Sequence, residues 1–161
     1  MNRKRDLSVC GGFISGICFV TMLAVTSLVY SHCQIPCGIY DDPARLNQIA
    51  ENITTVEKAM KSIEELSRET KPNMNQLVRW INVKEKHADD TEHIISYYFM
   101  TQRLKPVDKS DAPGYEKYIK QLTLLHEMLV YSMKTKQTTD LANVEKLRSL
   151  LAKFKSLYLG E

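Results

Sequence analysis

Two cysteines, a histidine and a tyrosine crowd into His32-Cys33-Gln34-Ile35-Pro36-Cys37-Gly38-Ile39-Tyr40, the only concentration of soft-ligand side chains in the chain. Three chemistries compete for such a cluster. A C-x3-C pair in an exported protein oxidises readily to a Cys33–Cys37 disulfide, although so short a loop constrains little of the unfolded chain. A structural zinc site needs four ligands; Cys33, Cys37 and His32 supply three, with His87, His93 or His126 as the fourth. A thioredoxin-type pair wants C-x2-C at a helix start within a βαβ unit, and neither condition is met. The third chemistry uses the backbone as well as the side chains, and it depends on where the mature chain begins.

Residues 1–31 differ from the rest of the sequence. Arg3, Lys4 and Arg5 precede an uncharged run from Leu7 to Tyr30, the pattern of an export signal or a membrane anchor. Val29 and Ser31 occupy the −3 and −1 places of a signal-peptidase site, so cleavage releases a chain beginning at His32. Ile17 before Cys18 does not suit lipoprotein processing. Loss of the leader removes three basic residues and one acidic residue, lowering the formal charge from +3 to +1. No Lys/Arg-rich block with interleaved aromatics remains, which argues against nucleic-acid binding. Contact with a membrane is then expected only through an uncleaved leader, and the mature protein is expected in a periplasmic, extracellular or other lumenal compartment.

If His32 is the first residue, its α-amine, the backbone nitrogen of Cys33 and the Cys33 sulfur can bind one metal through two adjoining five-membered chelate rings. Cys37, returned by a turn at Pro36 and Gly38, completes a planar set of two nitrogens and two sulfurs. Planar coordination of this kind suits Ni(II) or Cu(II), whereas a tetrahedral set suits zinc. The His32 imidazole can reach an apical position. Anionic thiolate and amidate donors also favour a higher oxidation state, so the segment can make nickel redox-active.

"HCQIPCGIY" resembles the nickel hook of nickel superoxide dismutases, whose mature chains begin H-C-x-x-P-C-G-x-Y and continue into a four-helix bundle. The resemblance implies that His32 supplies its amine and a redox-dependent axial imidazole, Cys33 its amide and thiolate, and Cys37 the second thiolate. It further implies that Pro36 and Gly38 shape the hook and that Tyr40 lies beside the open face of the metal, restricting and orienting small anions. The implied reaction is disproportionation of superoxide to O2 and H2O2, with one nickel ion per subunit alternating between Ni(II) and Ni(III) in a homohexamer. Two departures stand out: Gln34 occupies a place where many members carry Asp, and "YDDP" is one residue longer than the frequent "YDP". Members also hold the axial imidazole through outer hydrogen bonds. His87 is the candidate for that role here, with a solvated surface histidine as the alternative, while His93 and His126 read as packing or surface residues. A non-catalytic nickel or copper carrier would use the same hook, and a membrane-anchored helical module with a Cys33–Cys37 disulfide would retain the leader.

The elements that must position this cluster follow it. At 161 residues and 43% hydrophobic content the chain fits a single globular domain. Residues 41–161 read as an all-α, antiparallel four-helix bundle behind the 32–40 hook. Leu46, Ile49, Ile53, Val56, Met60, Ile63 and Leu66 recur at helical spacing, with Asp41 or Asp42 as cap and Pro43 at the first helical position. After an interruption at Pro72, Asn73 and Gln76 resemble a capping pair for a second helix carrying Leu77, Val78, Ile81, Ala88, Ile94, Ile95, Tyr98 and Phe99. Its middle, "KEKHADDTEH", is so polar that one face must meet solvent or a partner. "KPVDKSDAPG" reads as a loop. A third helix carries Tyr115, Tyr118, Ile119, Leu122, Leu125, Met128, Leu129 and Met133. Asp140 caps a fourth with Leu141, Val144, Leu147, Leu151, Phe154 and Leu157. No run alternates with period two, and neither a P-loop nor a dinucleotide fingerprint occurs.

Overall fold

A computed structural model describes residues 41–160. The leader and the hook, including His32, Cys33, Pro36, Cys37, Gly38 and Tyr40, lie outside the described residues. Helix α1 spans Asp42–Ser67 and buries Leu46, Ile49, Ile53, Val56 and Met60 along one stripe, with Asn52 and Ala59 beside them. Asp41 is extended at the N-cap and Pro43 sits in the first turn, where its missing N–H has no helical acceptor to lose. Neither Asp41 nor Asp42 caps this helix with its side chain, contrary to the sequence expectation. The Asp42 carboxylate is committed elsewhere.

Helix α2, Met74–His93, begins as expected: the Asn73 side chain accepts from the Gln76 amide at 3.2 Å. Its inward face is a correction. Val78 is 51% exposed and Ile81 37%, whereas Lys84, Ala88 and Thr91 are buried. The Lys84 ammonium donates to the carbonyl of Thr135 at 3.0 Å and to that of Lys136, near the C-terminal end of the third helix. Those carbonyls lack helical partners, and a cation there also complements the helix dipole. A tertiary acceptor set therefore draws a lysine inward while valine and isoleucine stay outside.

Beyond His93 the chain keeps coiling but widens into a π-helix over Ile94–Arg103. The Leu104 amide bonds the Phe99 carbonyl at 2.9 Å, the i to i−5 pattern of that winding. The side chains of Thr101, through Oγ1, and Gln102, through Nε2, donate to the carbonyls of Ser96 and Tyr97, five residues back. Ile94, Ile95, Tyr98 and Phe99 are buried as anticipated, on a turn of a different pitch.

Helix α3, Ala112–Gln137, starts within the segment expected as loop, with the Asp111 carboxylate accepting from the Gly114 amide at 3.1 Å. A side chain at residue 114 would displace that carboxylate from its capping position. Leu125 and Met128 are buried, but Ile119 and Met133 of the expected stripe are exposed, and Gln121, Ser132 and Thr135 take inward places. Ser132 donates to the Ala88 carbonyl at 3.1 Å, tying α3 to α2. Helix α4, Leu141–Leu159, is capped by Asp140, which accepts from the Ala142 amide at 2.9 Å, and ends at Gly160 in the left-handed region with φ 77°. It buries Val144, Leu147, Leu150, Leu151 and Phe154.

Cross-helix pairs establish the antiparallel order. Going up α1, Asp42, Glu57 and Glu64 meet Tyr158, Arg148 and Thr139 going down α4 and the turn before it. Asp42 and Asn52 similarly meet Tyr98 and His87 on the returning second element. The bundle is all-α, with four helices around one core and no strand among the described residues. No helix among them is long and apolar enough to cross a membrane.

Candidate metal centre

Asp42 stands at the start of α1, two residues after Tyr40 in the chain. Its Oδ1 accepts from the Tyr98 hydroxyl at 2.5 Å and from Arg103 Nε at 2.7 Å. Its Oδ2 accepts from the Tyr158 hydroxyl at 2.8 Å. The π-helix supplies the first two donors and the last turn of α4 the third. Beneath them, Phe99, Phe154 and Tyr158 pack as an aromatic cluster: the Phe99 ring meets Phe154 and Tyr158 edge-on at 5.2 and 5.5 Å. The Arg103 guanidinium also lies over the Tyr98 ring, 5.4 Å from its centroid.

The electrostatics of this clamp agree with its geometry. Burial by itself pushes the Asp42 carboxyl up, but hydrogen bonds from Arg103, Tyr98 and Tyr158 and the adjacent guanidinium charge hold it below the ordinary carboxylate value. Burial, reinforced by the bond to Asp42, pushes the Tyr98 phenol up to about 12. The Tyr158 phenol is raised by the same two causes, and Arg103 is raised by its hydrogen bond to Asp42. Near neutral pH one anion therefore faces three protonated donors. Sequence reading placed Tyr98 in the core stripe and missed Arg103 and Tyr158, whose convergence joins residues 56, 61 and 116 positions from Asp42.

Of the expected site residues, His87 is the one that lies among the described positions. It is half-buried on α2, and its Nδ1 is 2.8 Å from Oδ1 of Asn52 on α1. His93 is exposed and stacks on Tyr97 at 4.4 Å between centroids. His126 is exposed on α3. Among the described residues no group of three or more His, Cys, Asp or Glu side chains could hold a metal. All four cysteines lie in residues 1–40, so thiolate donors for a soft or borderline metal come from that part of the chain. The donors at residues 32–37, two thiols, an imidazole and backbone nitrogens, fit nickel chemically.

An all-α bundle following a thiolate- and imidazole-bearing segment defines the class as a small helical metalloprotein. The model of the family described as nickel-containing superoxide dismutase matches residues 27–161, and the chain belongs to that family. It is 25% identical over 130 residues to a nickel superoxide dismutase of Streptomyces seoulensis, covering 81% of this chain and 87% of that protein. The same identity and coverage hold for a nickel superoxide dismutase of Streptomyces coelicolor. No solved structure matches. The protein is thus an oxidoreductase acting on superoxide, with nickel as its cofactor.

Proposed function

We propose that superoxide is disproportionated at nickel held by residues 32–40, after a signal peptidase has cut between Ser31 and His32. Support comes from the residue-by-residue agreement of His32, Cys33, Pro36, Cys37, Gly38 and Tyr40 with the hook pattern, within the stretch that the family model matches. The α-amine and imidazole of His32, the amide and thiolate of Cys33 and the thiolate of Cys37 would hold the metal. Nickel bound there supplies a one-electron couple between Ni(II) and Ni(III).

Two superoxide anions and two protons become one O2 and one H2O2, one anion losing an electron and the other gaining it. Tyr40 restricts access and orients the anion by donating its phenolic hydrogen. Gln34 can donate hydrogen bonds but, as a neutral amide, releases no proton. Pro36 and Gly38 turn the chain so that Cys37 returns toward Cys33. His87, whose Nδ1 is held by Asn52 Oδ1, is the residue assigned the outer hydrogen-bonding role that the family gives to the axial imidazole. On this reading the enzyme is exported and works as a homohexamer, with the polar stripe within α2 as a wet subunit interface.

Cys33→Ser and Cys37→Ser test the ligand set. Each should lose nickel and activity while far-ultraviolet circular dichroism still reports the helices, since the α1 core stripe begins only at Leu46. His32→Ala should keep nickel and lose most turnover. Nickel-dependent activity surviving in either cysteine variant would defeat the assignment.

A further inference from the structure

We propose that Asp42 is a positioning residue for the nickel-binding segment, fixing its covalent base through the Tyr98–Arg103–Tyr158 clamp. The inference rests on the reading of residues 32–40 as the metal-binding segment. Helix termini fray because their first amides lack helical acceptors. Here the first turn of α1 is held from two other elements at once, at 2.5, 2.7 and 2.8 Å. Asp41 is extended, with φ −99° and ψ 128°, and its carbonyl accepts from the Arg45 amide at 3.1 Å. Pro43 restricts φ at the next step. The backbone is therefore held in one conformation at Asp41 and Asp42, the first two described residues after Tyr40 in the sequence.

Two features separate this arrangement from an ordinary helix start. Asp42 follows the N-cap, and among the described residues its carboxylate is bonded by side chains of two other elements and by no amide of its own helix. The π-helix is the second feature. On an α-helix, residues five apart point about 140° away from each other at 3.6 residues per turn. The wider winding over Ile94–Arg103 closes bonds between residues five apart, and Tyr98 and Arg103 consequently reach the same oxygen of Asp42. Short π segments are scarce and recur at functional sites. In this protein the winding assembles the clamp two residues from the tyrosine that would face the metal.

The test uses leader-free, nickel-loaded protein carrying Asp42→Asn or Tyr158→Phe, with Leu147→Ala as a core variant outside the clamp and Cys33→Ser in parallel. Asp42→Asn should still bind nickel, because every proposed ligand remains. Its Ni(III) electron paramagnetic resonance signal should broaden, its nickel should pass to a chelator about tenfold faster, and kcat/KM per bound nickel should fall by about ten- to a hundredfold, the scale of a misplaced site. Tyr158→Phe should give the same changes in smaller measure, and it serves if Asp42→Asn fails to fold. Leu147→Ala should lower Tm without altering the signal or the turnover per nickel. A purely structural clamp would show the opposite pattern: Asp42→Asn and Tyr158→Phe lower Tm while linewidth, chelator release and turnover per nickel stay at parent values. That result, with Cys33→Ser losing nickel, overturns the positioning role and leaves the hook reading intact. Nickel retained by Cys33→Ser overturns both.

Discussion

His87 Nδ1 and Asn52 Oδ1 meet across the seam between α1 and α2 at 2.8 Å. An amide oxygen carries no hydrogen, so Nδ1 is the donor and Nε2 is left free of that bond. The Asn52 amide nitrogen is buried with no partner among the described residues. His87→Ala should destabilise the nickel-free protein by about 1–3 kcal/mol, because it strands the oxygen of a buried amide already short of one partner. A double-mutant cycle with Asn52→Leu, read by urea unfolding, should return a coupling of about 0.5 kcal/mol or more. In nickel-loaded protein the same His87→Ala change should shift the Ni(III) resonance. An unchanged spectrum would remove His87 from the outer shell and leave it as a helix-seam residue.

The clamp predicts a stability profile with two edges. A carboxyl held below its unfolded value contributes stability above the unfolded pKa of about 3.9, and loses it as pH falls through the lower folded value. A phenol raised to about 12 contributes fully below the unfolded value of about 10 and loses that contribution as pH rises between the two. Asp42→Asn should flatten the acid edge, and Tyr98→Phe the alkaline one. Denaturant midpoints measured across pH 2.5–5 and pH 9–12 decide it; an acid slope in Asp42→Asn equal to the parent's would assign that edge to other carboxylates.

Lys84→Met keeps the apolar stem and removes the ammonium that satisfies the carbonyls of Thr135 and Lys136. The loss should be about 2 kcal/mol, the value of a buried hydrogen bond to a charged group. Turnover per bound nickel should be unchanged, since the proposed ligands are untouched. A variant as stable as the parent would show that water replaces the ammonium without cost.

The helices were legible where packing is local and aliphatic. The stripe from Leu46 to Met60 is read from spacing alone, and Asn73 and Asp140 cap their helices through local bonds as expected, whereas the Asp111 cap lies in a segment that reads as loop. Spacing failed on α2, where Val78 and Ile81 are exposed and Lys84 is buried, because distant carbonyls on α3 decide which face turns inward. The π-helix has no composition signal in "IISYYFMTQR", which carries the same apolar face an α-helix would. The hook residues stand out in the sequence because chemistry restricts their types and spacing, and they lie outside the described residues. The Asp42 clamp was not, because its three donors lie on elements that only the folded bundle brings together.

The N-terminal amine of His32 gives the most direct measurement. One alanine added before His32 in leader-free protein preserves every side chain of the mature domain but converts the amine into an amide and shifts the chelate register. With the extra residue confirmed by mass, Ni(III) should fail to accumulate and superoxide disproportionation should collapse, while circular dichroism still reports the bundle. Full nickel-dependent activity with the alanine in place would contradict a metal site built on the first residue of the mature chain.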